Sequence, residues 1–361
     1  MKRISRQILY LFISMFCLST LCVAKSNKTF TVLQLNTWHA GATVPGGAKG
    51  IVDVVRQINA DVVFLCEIHG NNTLSQITSE LEKQGLSYYG ESHGLNVGIL
   101  SKIKPDSVVS CCSVPGNEVR ALIKAVVKID DQPISFYSAH LDHQNYGCYL
   151  PRGYGEDFVT INGVVSAKKA DRIITDEDKV LEINRTSYRD ESIRSFIQYV
   201  QSDLEQGIPA VLGGDFNEPS HLDWQADTKD LRDHNGAIIN WDCSVLLQNA
   251  GFKDAFREKY PDPVRNPGIT YPAGNRLAQI AKLETLTYTP DADERDRIDF
   301  IYYHPLNKIL SLKKIQLVGP AETVTHNEIV ENDSKDRFII PDGVWPSDHK
   351  GTLATFKICN K

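Results

Sequence analysis

The sequence lacks the features of several protein classes. Its 8 cysteines include no CxxC pair, which argues against a zinc site. Basic residues are not in excess, because 39 Lys and Arg stand against 45 Asp and Glu, and this balance disfavours routine binding of long duplex nucleic acid. No apolar run after residue 24 approaches the roughly 20 residues of a membrane span. What remains, with 42% hydrophobic and 23% charged residues over 361 positions, is typical of a globular enzyme.

The N-terminus has the order of a secretory signal peptide. Lys2, Arg3 and Arg6 precede an apolar run over residues 8–23, and Ala24 supplies a small residue for cleavage. We therefore predict a signal peptide over residues 1–24 and export to the periplasm or the extracellular space. Lipid anchoring at Cys22 is the weaker alternative, because the preceding small residue is missing. Removing the three cations takes the net charge from −6 to −9, so the mature protein is acidic.

Six cysteines remain after the signal peptide, at positions 66, 111, 112, 148, 243 and 359. Cys66 lies in the apolar run 61–67 and is predicted to be a packed core thiol. Export permits oxidation of the others. A disulfide among Cys148, Cys243 and Cys359 is left open, since spacing alone does not assign a pairing.

Short β-type runs alternate with amphipathic patterns, which indicates an α/β protein. The chain shows no composition break, so we predict one domain over residues 25–361. Predicted strands cover 29–36, 61–67, 95–101, 119–129, 133–140, 210–214, 298–303, 310–318 and 351–357, and the main predicted helices cover 188–206 and 241–249. The most irregular stretches, 141–187 and 260–296, are long enough to be functional loops.

Polar side chains close several of the predicted strands. Asn36, Glu67, His140, Asp215 and Asn217 each follow an apolar run. A carboxylate at the end of a buried strand is costly to desolvate unless it is paired, and a hard cation such as Mg²⁺ is a natural partner for oxygen ligands. Residues two apart in an extended segment project to one side, so Asp215 and Asn217 can share one substrate.

Three further pairs have close spacing: His140 with Asp142, Arg297 with Asp299, and Asp348 with His349. Together with the strand-end residues they form an ordered series of motifs: AsnThrTrpHis at 36–39, the run ending in Glu67, AsnValGlyIleLeuSer at 96–101, HisLeuAsp at 140–142, GlyAspPheAsn at 214–217, ArgIleAspPhe at 297–300 and SerAspHis at 347–349. This series resembles the endonuclease/exonuclease/phosphatase superfamily over nearly the whole mature chain. That superfamily includes deoxyribonuclease-I-like nucleases, exonuclease-III-like repair enzymes, neutral sphingomyelinases and inositol polyphosphate 5-phosphatases.

The resemblance implies a four-layered α/β sandwich with two packed, mostly antiparallel mixed β-sheets flanked by helices. It also implies water attack on phosphorus with a catalytic Mg²⁺, or Mn²⁺ or Ca²⁺ in its place. Glu67 resembles the main metal ligand, and Asn36 and Asp348 are expected near the metal. Asp215 resembles the group that orients or deprotonates the water, and Asn217 is expected to donate to the phosphate.

The remaining roles follow from the same resemblance. His140 and His349 are expected on opposite sides of the scissile group, and Asp299 is expected to hold the His349 imidazole in the right tautomer. Arg189 and Asp142 are the candidate substrate contacts.

Two segments depart from the family pattern. The insertion before the helix at 188–206, which includes residues 148–155, is a candidate substrate-selecting wall, and the loop 260–296 has no match. The leading hypothesis is an exported Mg²⁺-dependent phosphodiesterase, nuclease or otherwise. The alternatives are a phosphomonoesterase for an inositol, sugar or lipid head-group phosphate and a catalytically silent binding module. The expected partner is a nucleic acid, phospholipid or phosphosugar, with no obligate protein partner and a monomeric state.

Overall fold

The computed structural model describes residues 28–94, 96–161, 164–280 and 286–359. The predicted signal peptide lies outside these residues, so the domain boundary at residue 24 stays a prediction. The strands are Thr29–Asn36 (β1), Val62–Cys66 (β2), Tyr89–His93 (β3), Val97–Ser101 (β4), Ser107–Cys111 (β5), Leu122–Ile129 (β6), Gln132–His140 (β7), Tyr154–Ile161 (β8), Val164–Lys169 (β9), Ala210–Asp215 (β10), Lys253–Asp254 (β11), Asp299–Tyr303 (β12), Leu310–Val318 (β13), Thr323–Thr325 (β14), Glu328–Val330 (β15), Phe338–Ile339 (β16) and Gly351–Ile358 (β17). The helices are Gly47–Ile58 (α1), Asn71–Lys83 (α2), Glu177–Asn184 (α3), Arg189–Glu205 (α4), Asp242–Asn249 (α5), Ala255–Lys259 (α6) and Arg276–Ile280 (α7), and short 3₁₀ turns cover His39–Gly41, Glu118–Arg120 and Gly147–Arg152.

Two mixed sheets pack face to face. The first has seven strands in the order β16-β13-β17-β1-β2-β4-β3, and the second has six in the order β11-β12-β10-β7-β6-β5. Phe136 of β7 packs against Phe30 of β1 and Phe64 of β2, with ring centroids 5.8 and 6.4 Å away. All three rings are buried, so the layer between the sheets is a continuous apolar core.

Helices cover both outer faces. α1 and α2 pack on the first sheet through Ile51 and Leu74, and α4 and α5 pack on the second through Phe196 and Leu247. The periodicity that predicted a helix over 188–206 is confirmed by α4, which stops before Gly207 with its φ of 78°. The order helix, sheet, sheet, helix confirms the predicted four-layered sandwich.

Strand register brings the polar strand ends to one edge of the molecule. β1 and β2 run parallel with Asn36 opposite Cys66, and β7 and β10 run parallel with His140 opposite Asp215. β12 pairs antiparallel with β10 and sets Asp299 opposite Asp215. The carboxyl ends of β1, β2, β7 and β10 therefore lie together, which is where sites form in parallel pairs.

The glycines before Asp215 have a steric reason. A Cβ at Gly214 would lie 1.8 Å from the Ala139 carbonyl oxygen, and a Cβ at Gly213 would lie 2.5 Å from the Phe64 ring. Only glycine lets β10 approach both β7 and the facing sheet this closely. The two glycines thus fix the position of Asp215 at the end of β10.

The two irregular stretches contain more regular structure than the sequence predicted. Residues 141–187 hold a 3₁₀ turn, the β8–β9 hairpin and α3, and residues 260–296 hold α7. The cysteines at 66, 111, 112, 148, 243 and 359 are all free thiols, and Cys66 is fully buried as predicted. Within the described ranges, no helix combines the length and apolar character needed to cross a bilayer.

Candidate active site

A cavity of about 1120 Å³ opens at the edge where the strand ends meet. Six of the predicted site residues line it: Glu67, His140, Asp215, Asn217, Asp348 and His349. Asn36 and Asp299 lie buried directly behind this lining, at 0% and 1% exposure. The structure therefore brings together all eight residues of the predicted metal and catalytic set.

Asn36 holds two carboxylates of the site. Its Nδ2 donates to Glu67 Oε1 at 3.0 Å and to Asp215 Oδ2 at 2.9 Å, and its Oδ1 accepts from the Trp38 backbone at 2.9 Å. Since the amide is engaged at both ends, it positions the two carboxylates and does not face the cavity. Its placement beside the expected metal position agrees with the sequence, but its contacts are those of a carboxylate holder.

The backbone is unusual around the cavity mouth. Glu67, His39, His69 and Asn217 have φ of 56°, 55°, 54° and 49°, in the left-handed region that non-glycine residues rarely adopt. Each costs about 1 kcal/mol and persists only where the surrounding structure over-determines it. Their clustering at one cavity supports a functional role for this edge.

His349 is held between acidic groups. Its Nδ1 donates to Asp299 Oδ2 at 2.8 Å, while Asp299 Oδ1 accepts from Gln34 Nε2 at 2.7 Å. Its Nε2 points to the cavity and lies 3.8 Å from Asp215 Oδ2. Burial alone would lower the pKa of His349, but Asp299 and Asp215 outweigh burial and raise its pKa well above the usual value. His349 is therefore a cation at neutral pH.

His140 has the opposite environment. Arg120 Nη1 lies 3.0 Å from His140 Nδ1, and the side-chain oxygen of Asn96, Oδ1, lies 2.5 Å from the same nitrogen. Burial and the Arg120 charge lower the pKa of His140 to about 3. The Asn96 oxygen can only accept, so this nearer contact favours a protonated Nδ1, and Nε2 faces Asp215 Oδ2, 3.6 Å away. At neutral pH the two imidazoles are thus one neutral ring and one cation.

Two carboxyl groups have pKa values near neutrality. Burial raises the pKa of Asp215 to about 7, although the positive charge of His349 partly opposes this shift. Burial likewise raises the pKa of Asp348 to about 7, and the negative charge of Glu67 adds to it. A carboxyl group with a pKa near the working pH can accept a proton and release it.

The donor set fits a hard divalent cation. Burial would raise the pKa of Glu67, but His140, the Asn36 amide and His349 lower it to about 2, so this carboxylate is ionised. Asp348 Oδ1 is buried without a hydrogen-bond partner in the described chain, and its nearest cation is His349 Nε2 at 3.9 Å. A buried carboxylate oxygen left this way is costly unless a cation binds it. Glu67 and Asp348 are therefore the residues suited to a metal.

A second acidic cluster lies deeper. Asp215, Asp299 and His349 offer ligand atoms within 4.8 Å of one another. In this arrangement the protonated His349 already supplies the positive charge between the two carboxylates, so a metal there would have to displace a proton. Glu67 and Asp348 need no such displacement, which makes them the better site.

The two predicted substrate contacts do not reach the cavity. Arg189 is 0% exposed, and its guanidinium donates to the carbonyl oxygens of Asp142, Gln144 and Asn145 at 2.7–2.9 Å. Asp142 accepts from the Gln144 and Tyr188 backbones at 3.2 and 3.4 Å. Both residues hold the loop that follows β7, which corrects their assignment to substrate binding.

This correction predicts that Arg189→Met weakens folding more than substrate binding. The change leaves the buried carboxylate of Glu218, 3.8 Å from Arg189 Nε, without its cation, and frees the loop carbonyls. We expect a loss of about 3 kcal/mol in the free energy of unfolding. Urea unfolding measures this loss, and KM determined well below the melting temperature should change less than about twofold. A large KM increase at unchanged stability would restore Arg189 to the substrate site.

Sequence reasoning missed Arg120, Asn96 and Gln34, which position the two imidazoles and Asp299. Asn96 opens the AsnValGlyIleLeuSer motif and could have been found there. Arg120 lies in a 3₁₀ turn with no motif around it, so its role is visible only once strand pairing places it beside His140.

Comparison with known proteins agrees with this geometry. The model of the Endonuclease/Exonuclease/phosphatase family matches residues 33–349. The Caenorhabditis elegans "Uncharacterized protein F14F9.5" is 28% identical over 299 residues, covering 82% of this chain and 85% of that protein. The crystal structure of D. rerio TDP2 complexed with single strand DNA product superposes with a TM-score of 0.52 at 16% identity, covering 91% of this chain and 99% of that chain. An endonuclease/exonuclease/phosphatase from Beutenbergia cavernae DSM 12333 superposes with a TM-score of 0.50 at 15% identity, covering 92% and 72%.

The structural likenesses show the shared fold, and the family match extends over most of the chain, including every motif from Asn36 to His349. The chain therefore belongs to the Endonuclease/Exonuclease/phosphatase family and is a metal-dependent phosphoester hydrolase.

Proposed function

We propose that this protein is an exported Mg²⁺-dependent phosphodiesterase that attacks phosphorus with water. One observation carries the proposal: His140, Asp215, Asn217 and His349 converge on the same cavity as the candidate metal ligands Glu67 and Asp348. A phosphoester bond needs positioned donors, a proton acceptor and positive charge around one phosphorus, and this edge supplies all three.

Glu67 and Asp348 would hold the Mg²⁺, whose role when bound is to neutralise charge on the phosphate oxygens. The oxygen-only donor pair supports Mg²⁺ over softer metals, with Mn²⁺ and Ca²⁺ as the alternatives to compare.

The chain's own residues supply the proton transfer. Asp215, with a pKa of about 7, can orient a water molecule and accept its proton. His349 supplies positive charge across the site, His140 Nε2 faces the same space, and the Asn217 amide can donate to phosphate oxygens. Asn217 Nδ2 uses one hydrogen on the Leu141 carbonyl oxygen at 3.1 Å, which fixes the amide while leaving its second hydrogen free to donate.

Export is proposed from the charged and apolar pattern of residues 1–24. Expression of the full chain and of a chain lacking these residues in a bacterial host, followed by fractionation, tests it. Only the full chain should reach the periplasm or medium, and equal retention of both forms would reject export.

Two substrate types are compared. A diester is favoured because the site places separate groups, His349 and His140, where two ester oxygens can be contacted. The D. rerio TDP2 crystal contains a single-strand DNA product, which makes single-stranded DNA one diester to test. A phosphomonoesterase is the second candidate, since the acidic chain suits a small phosphorylated molecule.

Purified mature protein should hydrolyse bis(p-nitrophenyl) phosphate at least about tenfold faster than p-nitrophenyl phosphate when Mg²⁺ is present. Treatment with EDTA should lower kcat by about a hundredfold or more, because the metal contributes several kcal/mol to the transition state. Readdition of Mg²⁺ should restore the rate, with Mn²⁺ and Ca²⁺ tested in parallel. Faster monoester turnover would favour the phosphatase, and activity unchanged by EDTA would reject the metal-dependent mechanism.

A further inference from the structure

The two segments that depart from the family pattern meet at the mouth of the cavity. The β8–β9 hairpin packs on the loop that carries Tyr288, where the Ala167 backbone N–H donates to the Tyr288 carbonyl oxygen at 2.8 Å. Asp291 in the same loop pairs with Lys169 at 2.5 Å, and its backbone N–H donates to the Tyr154 hydroxyl at 3.1 Å. Hairpin and loop therefore form one structural unit beside the active site.

This unit and the segment just before β8 present a row of aromatic rings, which we name the aromatic wall: Tyr146, Tyr149, Phe158 and Tyr288. All four rings line the cavity. Neighbouring rings lie 4.7 Å apart for Tyr146 and Tyr149, 6.4 Å for Tyr149 and Phe158, and 5.4 Å for Phe158 and Tyr288. The wall is thus continuous from the cavity interior to its mouth.

Parts of the aromatic wall have the character of a binding surface. Phe158 and Tyr288 are each 41% exposed, so apolar ring area faces the open cavity. The Tyr146 hydroxyl is buried and, within the described chain, has no hydrogen-bond partner. Ring packing alone explains neither feature, whereas a ligand with an apolar group and a polar atom explains both.

The cavity mouth is also acidic. We name Glu118, Glu156 and Asp157 the acidic rim, and all three line the cavity. Arg120 is the only lysine or arginine among the lining residues that the structure describes, and its guanidinium is engaged by His140 and by His143 Nδ1 at 2.8 Å. A polyphosphate chain entering here would meet negative charge at the mouth, with no free lysine or arginine among the described lining residues to neutralise it.

We propose that the aromatic wall is a subsite for the organic half of a small phosphodiester that carries a single phosphate, and that the acidic rim disfavours substrates with further phosphates, including nucleic-acid strands. The inference rests on the proposed phosphodiesterase activity and names its substrate class. The organic group lies against Phe158 and Tyr288 and hydrogen-bonds the Tyr146 hydroxyl, while its phosphate reaches His349, whose ring is 4.9 Å from Tyr271 at the inner end.

The test compares two diesters with the same leaving group, bis(p-nitrophenyl) phosphate and methyl p-nitrophenyl phosphate, with Mg²⁺ present. The wild type should prefer the aryl diester in kcat/KM. The double variant Phe158→Ala/Tyr288→Ala should lower this preference by about tenfold, mainly through KM, because stacking on an aromatic ring is lost. Tyr89→Ala is the matched control, since Tyr89 is 49% exposed on β3 and does not line the cavity.

A second arm tests the acidic rim. Glu156→Lys/Asp157→Lys should raise kcat/KM for a single-stranded eight-nucleotide oligothymidylate by about tenfold at low salt. Turnover of the methyl diester by this variant should stay at the wild-type level. Circular dichroism and melting curves check that the variant folds.

The outcomes separate the inference from the activity on which it rests. In one outcome, the wild type hydrolyses the methyl diester while the Phe158 and Tyr288 double variant shows an unchanged preference for the aryl diester. This result rejects the role of the aromatic wall and leaves the proposed phosphodiesterase activity standing. Oligonucleotide cleavage by the wild type as efficient as aryl diester cleavage rejects the role of the rim. Hydrolysis of none of these substrates by the wild type rejects the phosphodiesterase itself, and the wall proposal with it.

Discussion

Replacing Asp215 by Asn is expected to lower kcat for diester hydrolysis by about a thousandfold. The amide cannot accept a proton from water, while its size matches that of the carboxyl group. Asp215 Oδ1 accepts from the Asn217 backbone at 2.9 Å, and an amide oxygen can do the same. Because burial already raises the pKa of Asp215 to about 7, a neutral side chain is tolerated at this position and the fold should persist.

Continuous release of p-nitrophenolate from bis(p-nitrophenyl) phosphate measures the change, and a melting curve checks the fold. Asp142→Asn is the matched control: this aspartate lies on the neighbouring loop, and its oxygens accept from the backbone N–H groups of Gln144 and Tyr188. Its kcat/KM should stay within about twofold of the wild type. A Tm and kcat both unchanged in the Asp215 variant would mean that another group accepts the proton.

The sheet sandwich could be predicted from the sequence because its signals are local. β2 is an uninterrupted apolar run of 5 residues, and α4 shows a clear helical period before a glycine stop. The register that aligns Asn36, His140 and Asp215 is not local. The ordered motifs predict only that these residues meet, and the strand pairing supplies the physical basis.

Arg189 shows where local reasoning fails. An arginine at the first turn of a helix is usually solvated, and the sequence contains no sign that the loop after β7 folds back over it. The loop carbonyls of Asp142, Gln144 and Asn145 are polar groups that need donors when buried. A fully buried guanidinium satisfies them, but this requirement exists only in the folded chain.

The aromatic wall is the converse case. In the sequence, segments 141–187 and 260–296 both depart from the family pattern, and the first of them is a candidate substrate-selecting wall. The sequence contains no indication that the two segments contact each other. Contacts between Ala167 and the Tyr288 backbone and between Lys169 and Asp291 make the two segments one unit. Long-range pairing of two insertions has no period or motif that a single sequence can reveal.

Replacing Asp299 by Asn is expected to lower kcat by about a thousandfold to ten-thousandfold, as for other carboxylates that orient a catalytic imidazole. Asp299 Oδ2 accepts the Nδ1–H of His349, and Oδ1 accepts from Gln34. If the oxygen of the new asparagine keeps the hydrogen bond from Gln34, the NH₂ group of the same side chain faces His349 Nδ1. An NH₂ group only donates, so it favours an unprotonated Nδ1. His349 then loses both its tautomer and its positive charge.

The pH dependence distinguishes this role from packing. Asp299 raises the pKa of His349 in the wild type, so the imidazole stays protonated across neutral pH and loses its proton only as the pH rises through the raised pKa. In Asp299→Asn that pKa falls, so the alkaline limb of the kcat profile should move to lower pH. Gln34→Met is the control, because it removes the other partner of Asp299 and keeps the charge; its kcat should fall less than about tenfold. If Asp299→Asn and Gln34→Met lower kcat equally and the alkaline limb of the kcat profile does not move, Asp299 only packs against the imidazole. The positive charge of His349 would then have no part in the reaction.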